Sequence, residues 1–272
     1  MIDAKKYIEE IDKKQDKLTS LSDEIWGYAE TAFTEFQSVE ALQKFFESEG
    51  FLVTPHAYGV ETAFIAEYGS GIPRVGVLGE FDALSGLSQV SDLIEKKAVT
   101  EGASGHGCGH NLLGVGSAAA ALAIKKYLED GHAGTVVYYG CPGEEGGSGK
   151  AFMARNGAFK DLDFALTWHP GTWNQVPAKR NVAIMGGNFT FDGVAAHAGG
   201  APHLGRSALD AAELMNVGVN YLREHMPDEA RVHYAYADAG GTAPNVVPAH
   251  AVIKYEVRAP TVDQVQELFE RV

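Results

Sequence analysis

The stretch TVVYYGCPGEEGGSGKAF, residues 135–152, decides the fold because it contains a strand, a loop and a helix in that order. Its β-branched and aromatic residues predict a strand over 135–139. A glycine-rich loop with two adjacent carboxylates, Glu144 and Glu145, follows that strand. A short helix is predicted over 149–156. A strand that leads through a polar loop into a helix is the unit from which α/β sheets are built.

The same unit recurs on both sides of this stretch. Strands are predicted over 62–68, 75–78 and 164–168, and helices over 3–29, 34–49 and 111–131. Because strands alternate with helices, we expect an α/β fold with an open, mostly parallel sheet that is flanked by helices. Ligand sites in such sheets lie beyond the carboxyl ends of the strands.

The pattern changes near residue 180, where a second domain is predicted. Its elements are a strand, a helix, two strands and a helix, over 182–191, 206–223, 232–236, 251–257 and 261–272. A ferredoxin-like βαββαβ fold has this order plus one further strand. We therefore divide the chain into residues 1–180 and an inserted α+β, ferredoxin-like domain, residues 181–272, truncated at its last strand. We expect the sequence to be the N-terminal portion of a longer protein.

The composition argues against two classes of partner. The 272 residues include 36 Asp and Glu against 22 Lys and Arg, which gives a formal net charge of -14. Nucleic acids and anionic membranes attract basic surfaces, so neither is expected to bind. The charged N-terminus lacks the apolar segment of a secretory signal. Since there are only two cysteines, Cys108 and Cys141, we expect reduced thiols and a cytoplasmic location.

Residues suited to metal chemistry follow the predicted strands. In GHGCGHN, residues 105–111, Cys108 and His110 are two positions apart, so a thiolate and an imidazole can turn toward one Zn²⁺. Glu144 and Glu145 can divide two tasks between them, one binding a metal and the other moving the proton of a water molecule.

His169 and Asp82 each follow a further predicted strand. His169 could be a ligand, and Asp82 could orient a liganding imidazole. Each residue also has an ordinary explanation: a chance thiol in a glycine loop, a solvated acidic turn, a structural histidine or a helix cap. The occurrence of all of them at strand ends of one sheet favours a metal site.

Four motifs carry a family resemblance: GEFDALSGL (79–87), GHGCGHNLLG (105–114), CPGEEGGSGK (141–150) and TWHPGT (167–172). Together they resemble the di-zinc metallopeptidase family of aminoacylases and carboxypeptidases, in its amidohydrolase branch. The resemblance runs in order from about residue 20 to residue 260. Where the branch commonly has Asp after Cys-Gly-His, this chain has Asn111, which is closer to the aminobenzoyl-glutamate hydrolase B-subunit type.

This resemblance implies two divalent metal ions, Zn or Mn, and a role for each site residue. Cys108 would be the thiolate shared between the metals, with His110, Glu145 and His169 as further ligands. Glu144 would be the general base. Asp82 would orient a metal-binding histidine without binding the metal itself. The family completes its site with a late histidine that has no match in this sequence.

The resemblance also covers the second domain, which corresponds to the family's lid. AAHAGGAPHLGRSALDAA (195–212) places His197 where it would polarise the substrate carbonyl across a homodimer. Asn245 would help to hold substrate, and Arg258 would pair with a substrate carboxylate. Each has an ordinary alternative: a helix cap for His197, a turn for Asn245 and a surface ion pair for Arg258.

Three functions are consistent with these residues. The first is metal-dependent hydrolysis of the amide bond in a small N-acyl or N-aroyl amino acid, such as an aminobenzoyl-glutamate-like substrate. The second is a non-catalytic binding or assembly protein with an incomplete metal site. A cysteine hydrolase that uses Cys108 and His110 is the third and the weakest, because residues two apart rarely present a nucleophile and a base to each other.

Overall fold

A computed structural model describes residues 4–176 and 181–272. The chain divides into two compact units, Met1–Asn174 and Gln175–Val272. Residue 180, where the sequence places the domain boundary, lies outside the described residues.

The first unit contains a five-stranded sheet. Its strands are β1 (Leu52–Pro55), β2 (Phe64–Ser70), β3 (Arg74–Gly79), β4 (Gly134–Gly140) and β5 (Phe164–Leu166), in the order β1-β2-β4-β3-β5. Strand β3 pairs in parallel with both β4 and β5. Strand β2 is antiparallel to both of its neighbours. All strands except β2 therefore run in one direction, and the sheet is mostly parallel, as predicted.

Helices of the first unit are α1 (Ala4–Asp12), α2 (Gln15–Tyr28), α3 (Phe36–Ser48), α4 (His110–Glu129) and α5 (Gly149–Arg155). The prediction of one helix over 3–29 was wrong, and its first residue lies outside the described residues. The helix breaks at Lys14, whose backbone leaves the helical region and whose ammonium lies 2.6 Å from Glu49 at the end of α3. Among residues 4–176 and 181–272, no helix is long and apolar enough to cross a membrane.

An aromatic core supports the sheet. The rings of Phe46 on α3 and Tyr138 on β4 have centroids 4.4 Å apart, and Phe64 on β2 packs against both. Helix α4 packs on β3 and β4. These rings belong to the core of the first unit, to which α2, α3 and α4 also contribute buried side chains.

The second unit is a three-stranded antiparallel sheet with two helices. Its elements are β6 (Ala183–Asp192), α6 (Ala208–Leu222), β7 (Arg231–Asp238), β8 (His250–Ala259) and α7 (Val262–Arg271). The strand order is β6-β8-β7, which is the arrangement of a ferredoxin-like fold. Alternate residues of β8, including Ile253, Tyr255 and Val257, are buried in the core of this unit, as the strand period requires.

Candidate active site

The loops that follow three parallel strands, together with the start of α4, carry the residues singled out by the sequence. Asp82 lies just beyond β3, Glu144 and Glu145 beyond β4, and His169 beyond β5. Because β3, β4 and β5 are parallel, these loops leave the same edge of the sheet.

Cys108, His110 and His169 lie together in this unit. Their ligand-type atoms all lie within 4.8 Å of one another, and Cys108 Sγ lies 3.3 Å from His169 Nε2. The Glu145 carboxylate lies close enough to the Cys108 thiol to raise the pKa of that thiol. Of the four residues that the resemblance identifies as metal ligands, the structure therefore brings Cys108, His110 and His169 into one cluster and places Glu145 near Cys108.

Asp82 fixes the orientation of His110. His110 Nδ1 lies 3.0 Å from Asp82 Oδ1 and 3.1 Å from the Asp82 carbonyl oxygen, and both of these atoms are acceptors. His110 Nδ1 must therefore carry hydrogen and donate it, which leaves the lone pair of a neutral imidazole on Nε2. The other oxygen of Asp82 accepts a bond of 2.8 Å from the backbone N–H of Glu145. Asp82 thus holds a histidine and a glutamate loop in one arrangement.

Charges on Asp82 and His110 stabilise each other. Burial lowers the pKa of His110, but Asp82 and Glu80 outweigh burial, so that pKa is raised overall. Burial raises the pKa of Asp82, but the hydrogen bonds from His110 and Glu145 lower it by more. Asp82 is therefore a buried carboxylate that stays ionised.

Replacement of Asp82 by Asn is expected to weaken metal binding by about 10–100-fold. This is the usual cost of losing the carboxylate that accepts a hydrogen bond from a metal-binding histidine. The amide can present its NH₂ group to His110 Nδ1 and favour the wrong tautomer. Competitive titration with Zn²⁺ and Mn²⁺ would measure the affinity. Asp163→Asn is the matched control, because Asp163 also accepts a backbone bond, from Arg74 at 2.7 Å, away from the cluster. Equal affinities in the two variants would contradict the role of Asp82.

A second group of carboxylates faces His110. Glu80 Oε2 lies 3.2 Å from His110 Nε2, and Glu144 Oε2 lies 4.0 Å from the same nitrogen. Lys150 forms an ion pair with the other Glu80 oxygen. His110 is fully buried, whereas the Glu144 side chain is 44% exposed. Glu144 can therefore reach both the buried cluster and solvent.

Burial and local charges raise the pKa values of two side chains in the cluster. Burial and repulsion from Glu80 raise the pKa of Glu144 above its ordinary value. Burial and the nearby carboxylates raise the pKa of Cys108 to about 11. A raised pKa makes Glu144 a better acceptor of protons near neutrality. The same environment disfavours an unassisted thiolate, which argues against Cys108 as the nucleophile of a cysteine hydrolase.

These residues fit a divalent cation. His110 Nε2 and Glu80 Oε2 are buried 3.2 Å apart, and neither atom forms a hydrogen bond within residues 4–176 and 181–272. A thiol, two imidazoles and carboxylates around such atoms form a donor set that suits Zn²⁺, and the carboxylates and imidazoles also suit Mn²⁺. A cation would supply the positive charge that buried acceptors and a thiolate require.

The predicted residues of the second unit also have defined surroundings. His197 Nδ1 accepts hydrogen bonds from the backbone N–H groups of Gly199 (3.2 Å) and Gly200 (2.9 Å), so the proton of the neutral ring is on Nε2. The segment of His197 pairs with that of Asn245, since Ala198 N donates to the Asn245 carbonyl at 2.9 Å.

Arg258 lies on β8, in the same unit. Its Nη2 lies 3.2 Å from Glu256, in the ion pair that was the ordinary alternative. Its Nε is buried without a hydrogen-bond partner among the described residues. Arg258 thus keeps one donor that Glu256 does not satisfy.

Sequence reasoning assigned no role to Glu80, Lys150 or Glu35. Glu80 lies inside the GEFDAL motif, two positions before Asp82, so its residue type was the available signal. Lys150 ends the CPGEEGGSGK motif, so its residue type was available too. Glu35 lies in none of the motifs and is 108 positions from Gly143, whose backbone N–H donates to it.

Comparisons with known proteins agree with this architecture. Residues 180–272 match the family model of the peptidase dimerisation domain. Over 263 residues the chain is 51% identical to the B subunit of p-aminobenzoyl-glutamate hydrolase from Escherichia coli (strain K12), an alignment that covers 96% of this chain and 55% of that protein. The chain thus spans about half the length of this curated relative.

Two solved structures share the fold. The aminobenzoyl-glutamate utilization protein of Klebsiella pneumoniae superposes with a TM-score of 0.69 at 23% identity, over 99% of this chain and 72% of that one. A dinuclear metal-binding peptidase of the M20 family, from Bacillus subtilis, superposes with a TM-score of 0.61 at 19% identity, over 94% and 68% of the two chains.

Proposed function

We propose that this chain, which belongs to the family of peptidases that carry the dimerisation domain, is a metal-dependent amidohydrolase. Its substrate class would be N-acyl or N-aroyl amino acids, with p-aminobenzoyl-glutamate as the first candidate. The convergence of Cys108, His110 and His169 within 4.8 Å carries the proposal. The name of the Escherichia coli relative supports the substrate class.

Cys108, His110, Glu145 and His169 would hold two divalent metal ions, with Zn and Mn as the candidates. When bound, the metal supplies Lewis acidity to the substrate carbonyl and to the attacking water. Glu144 is the general base in this proposal. Its carboxylate takes a proton from water at the exposed edge of the cluster and delivers that proton to the leaving amine.

The second unit would supply the groups that recognise substrate. His197 has its proton on Nε2, so a neutral ring can donate a hydrogen bond to the carbonyl oxygen as negative charge develops there. Asn245 would hold the substrate beside His197. Arg258 would pair with a carboxylate of the amino acid through its unsatisfied donor.

A homodimer through residues 181–272 is part of this proposal. Helix α6 exposes Leu214 (71%), Val217 (50%) and Tyr221 (74%), which lie at helical spacing on one face. Contiguous exposed apolar residues mark protein interfaces more often than chance. In such a dimer, His197 of one protomer could serve the metal cluster of the other.

The two free cysteines are the basis for a proposal about where in the cell the protein is located. Cys108 and Cys141 are both free thiols. Free thiols persist in a reducing environment, which supports the cytoplasm as the location.

Release of glutamate from p-aminobenzoyl-glutamate tests the proposed activity. Protein loaded with Mn²⁺ or Zn²⁺ is expected to hydrolyse the substrate, and removal of the metal by a chelator is expected to abolish turnover. Less than one bound metal per chain in a folded sample, with no hydrolysis of the substrate, would instead favour a non-catalytic binding or assembly protein.

A further inference from the structure

The loop that carries Glu144 and Glu145 has little means of holding itself in place. Residues 142–149 include four glycines, and Gly143 and Gly146 have left-handed backbone angles of 60° and 75°. A backbone bond of 3.1 Å from Gly149 N to the Gly143 carbonyl closes the loop. Glycines add conformational freedom that must be lost when the loop is ordered. Contacts from elsewhere in the chain are therefore needed.

Glu35 supplies one such contact. It directly precedes α3 and is fully buried. Its Oε1 accepts a hydrogen bond of 2.7 Å from the backbone N–H of Gly143, the residue before Glu144. This bond joins the start of α3 to the loop across 108 positions of sequence.

Phe33 supplies a second contact on the same loop. Its ring lies so close to the loop that a Cβ atom on Gly143 or Gly147 would lie 2.8 Å or 2.6 Å from ring carbons. The ring also packs edge-on against Phe152 of α5, with centroids 6.2 Å apart. Phe33 itself has a left-handed φ of 63°, a conformation that non-glycine residues adopt only when surrounding contacts impose it.

Glu35 acts through a hydrogen bond rather than through an ion pair. Burial raises its pKa above the ordinary value, against the opposing effect of the hydrogen bonds that it accepts. The groups that lower the pKa of Glu35 are hydrogen-bond donors and include no charged side chain. A neutral amide of the same shape should therefore replace its carboxyl group.

We infer that Phe33 and Glu35 form a brace that positions Glu144, with Glu35 acting through the Gly143 N–H and Phe33 through the glycine backbone. Both are positioning residues, because neither touches the reacting atoms. The inference rests on the proposed function for its kinetic consequence, but the order of the loop can be measured without any substrate.

The test compares Glu35→Ala and Glu35→Gln with Glu49→Ala. Glu49 is the matched control, because it directly follows α3, as Glu35 directly precedes it, and its partners are Lys14 and Lys17 rather than the loop. Hydrogen exchange of residues 142–149 in the Mn²⁺-loaded protein reports the order of the loop. The kinetic parameters kcat and KM on p-aminobenzoyl-glutamate report the position of Glu144.

Glu35→Ala is expected to speed exchange in the loop and to lower kcat by about 10²-fold with little change in KM, the cost of a misplacement near 1 Å. Glu35→Gln is expected to restore both values, and Glu49→Ala to leave both unchanged. If Glu35→Ala does not fold, Phe33→Ala tests the same brace and is expected to speed loop exchange and to lower kcat by about tenfold.

Two results would overturn the inference. One is loop exchange in Glu35→Ala equal to that in Glu49→Ala. The other is a Glu35→Gln variant as impaired as Glu35→Ala, which would show that charge rather than the hydrogen bond matters. If the unchanged protein hydrolyses no substrate, the proposed function fails while loop exchange still decides the inference.

Discussion

Replacement of Glu144 by Gln is expected to lower kcat by about 10²–10⁴-fold, the range that general acid–base catalysis contributes. The carboxylate is 44% exposed and its Oε2 lies 4.0 Å from His110 Nε2, so it meets both solvent and the metal cluster. Gln keeps the shape of Glu but cannot accept a proton. The variant should therefore retain its metal and its affinity for substrate.

Hydrolysis of p-aminobenzoyl-glutamate and the bound metal should be measured on the same sample. Glu40→Gln is the matched control, because Glu40 is an exposed carboxylate on α3 that pairs with Lys44. Turnover in Glu144→Gln within a few-fold of this control would show that another group is the base. Loss of metal together with activity would show instead that Glu144 is a ligand.

Replacement of Cys108 by Ser is expected to weaken metal binding by more than about 10²-fold. Loss of a residue that only hydrogen-bonds to a metal ligand costs about 10–100-fold, and loss of the ligand itself should cost more. Cys108 Sγ lies 3.3 Å from His169 Nε2, and the Glu145 carboxylate is near enough to raise the pKa of the thiol, so the thiol is central to the donor set. Its pKa of about 11 means that the thiolate forms only when a cation compensates its charge. A hydroxyl does not ionise in this way.

Cys141→Ser is the matched control for this variant. Cys141 is buried after β4 and donates a hydrogen bond to the Tyr139 carbonyl, which a hydroxyl can also do. Metal content after dialysis, together with affinity by competitive titration, compares the two variants. Affinities that agree within a few-fold would remove Cys108 from the set of ligands.

Local sequence was sufficient to predict much of the fold. The β-branched strand before Cys141, the helix predicted over 34–49 and the polar residues after each strand all depend on features within a few residues, so the sequence reveals them directly. The parallel direction of β3, β4 and β5 then follows from the alternation of strands and helices, and places the predicted residues along one edge.

The rest depends on contacts between distant residues. Strand β1 is short and mostly exposed, so no buried pattern marks it. The break at Lys14 accompanies an ion pair with Glu49, 35 positions away. Glu80 gains its place opposite His110 only because β3 lies beside the start of α4. Glu35 likewise becomes significant only when α3 reaches the loop after β4.

X-ray absorption at the metal edge of the Zn²⁺-loaded protein tests the central claim most directly. The claim is that a cysteine, histidines and a carboxylate from separate loops bind one metal centre. In the wild-type protein we expect a shell of sulfur in addition to nitrogen and oxygen ligands. The Cys108→Ser variant should lose the sulfur shell. A spectrum with only nitrogen and oxygen ligands, identical in both proteins, would contradict the account.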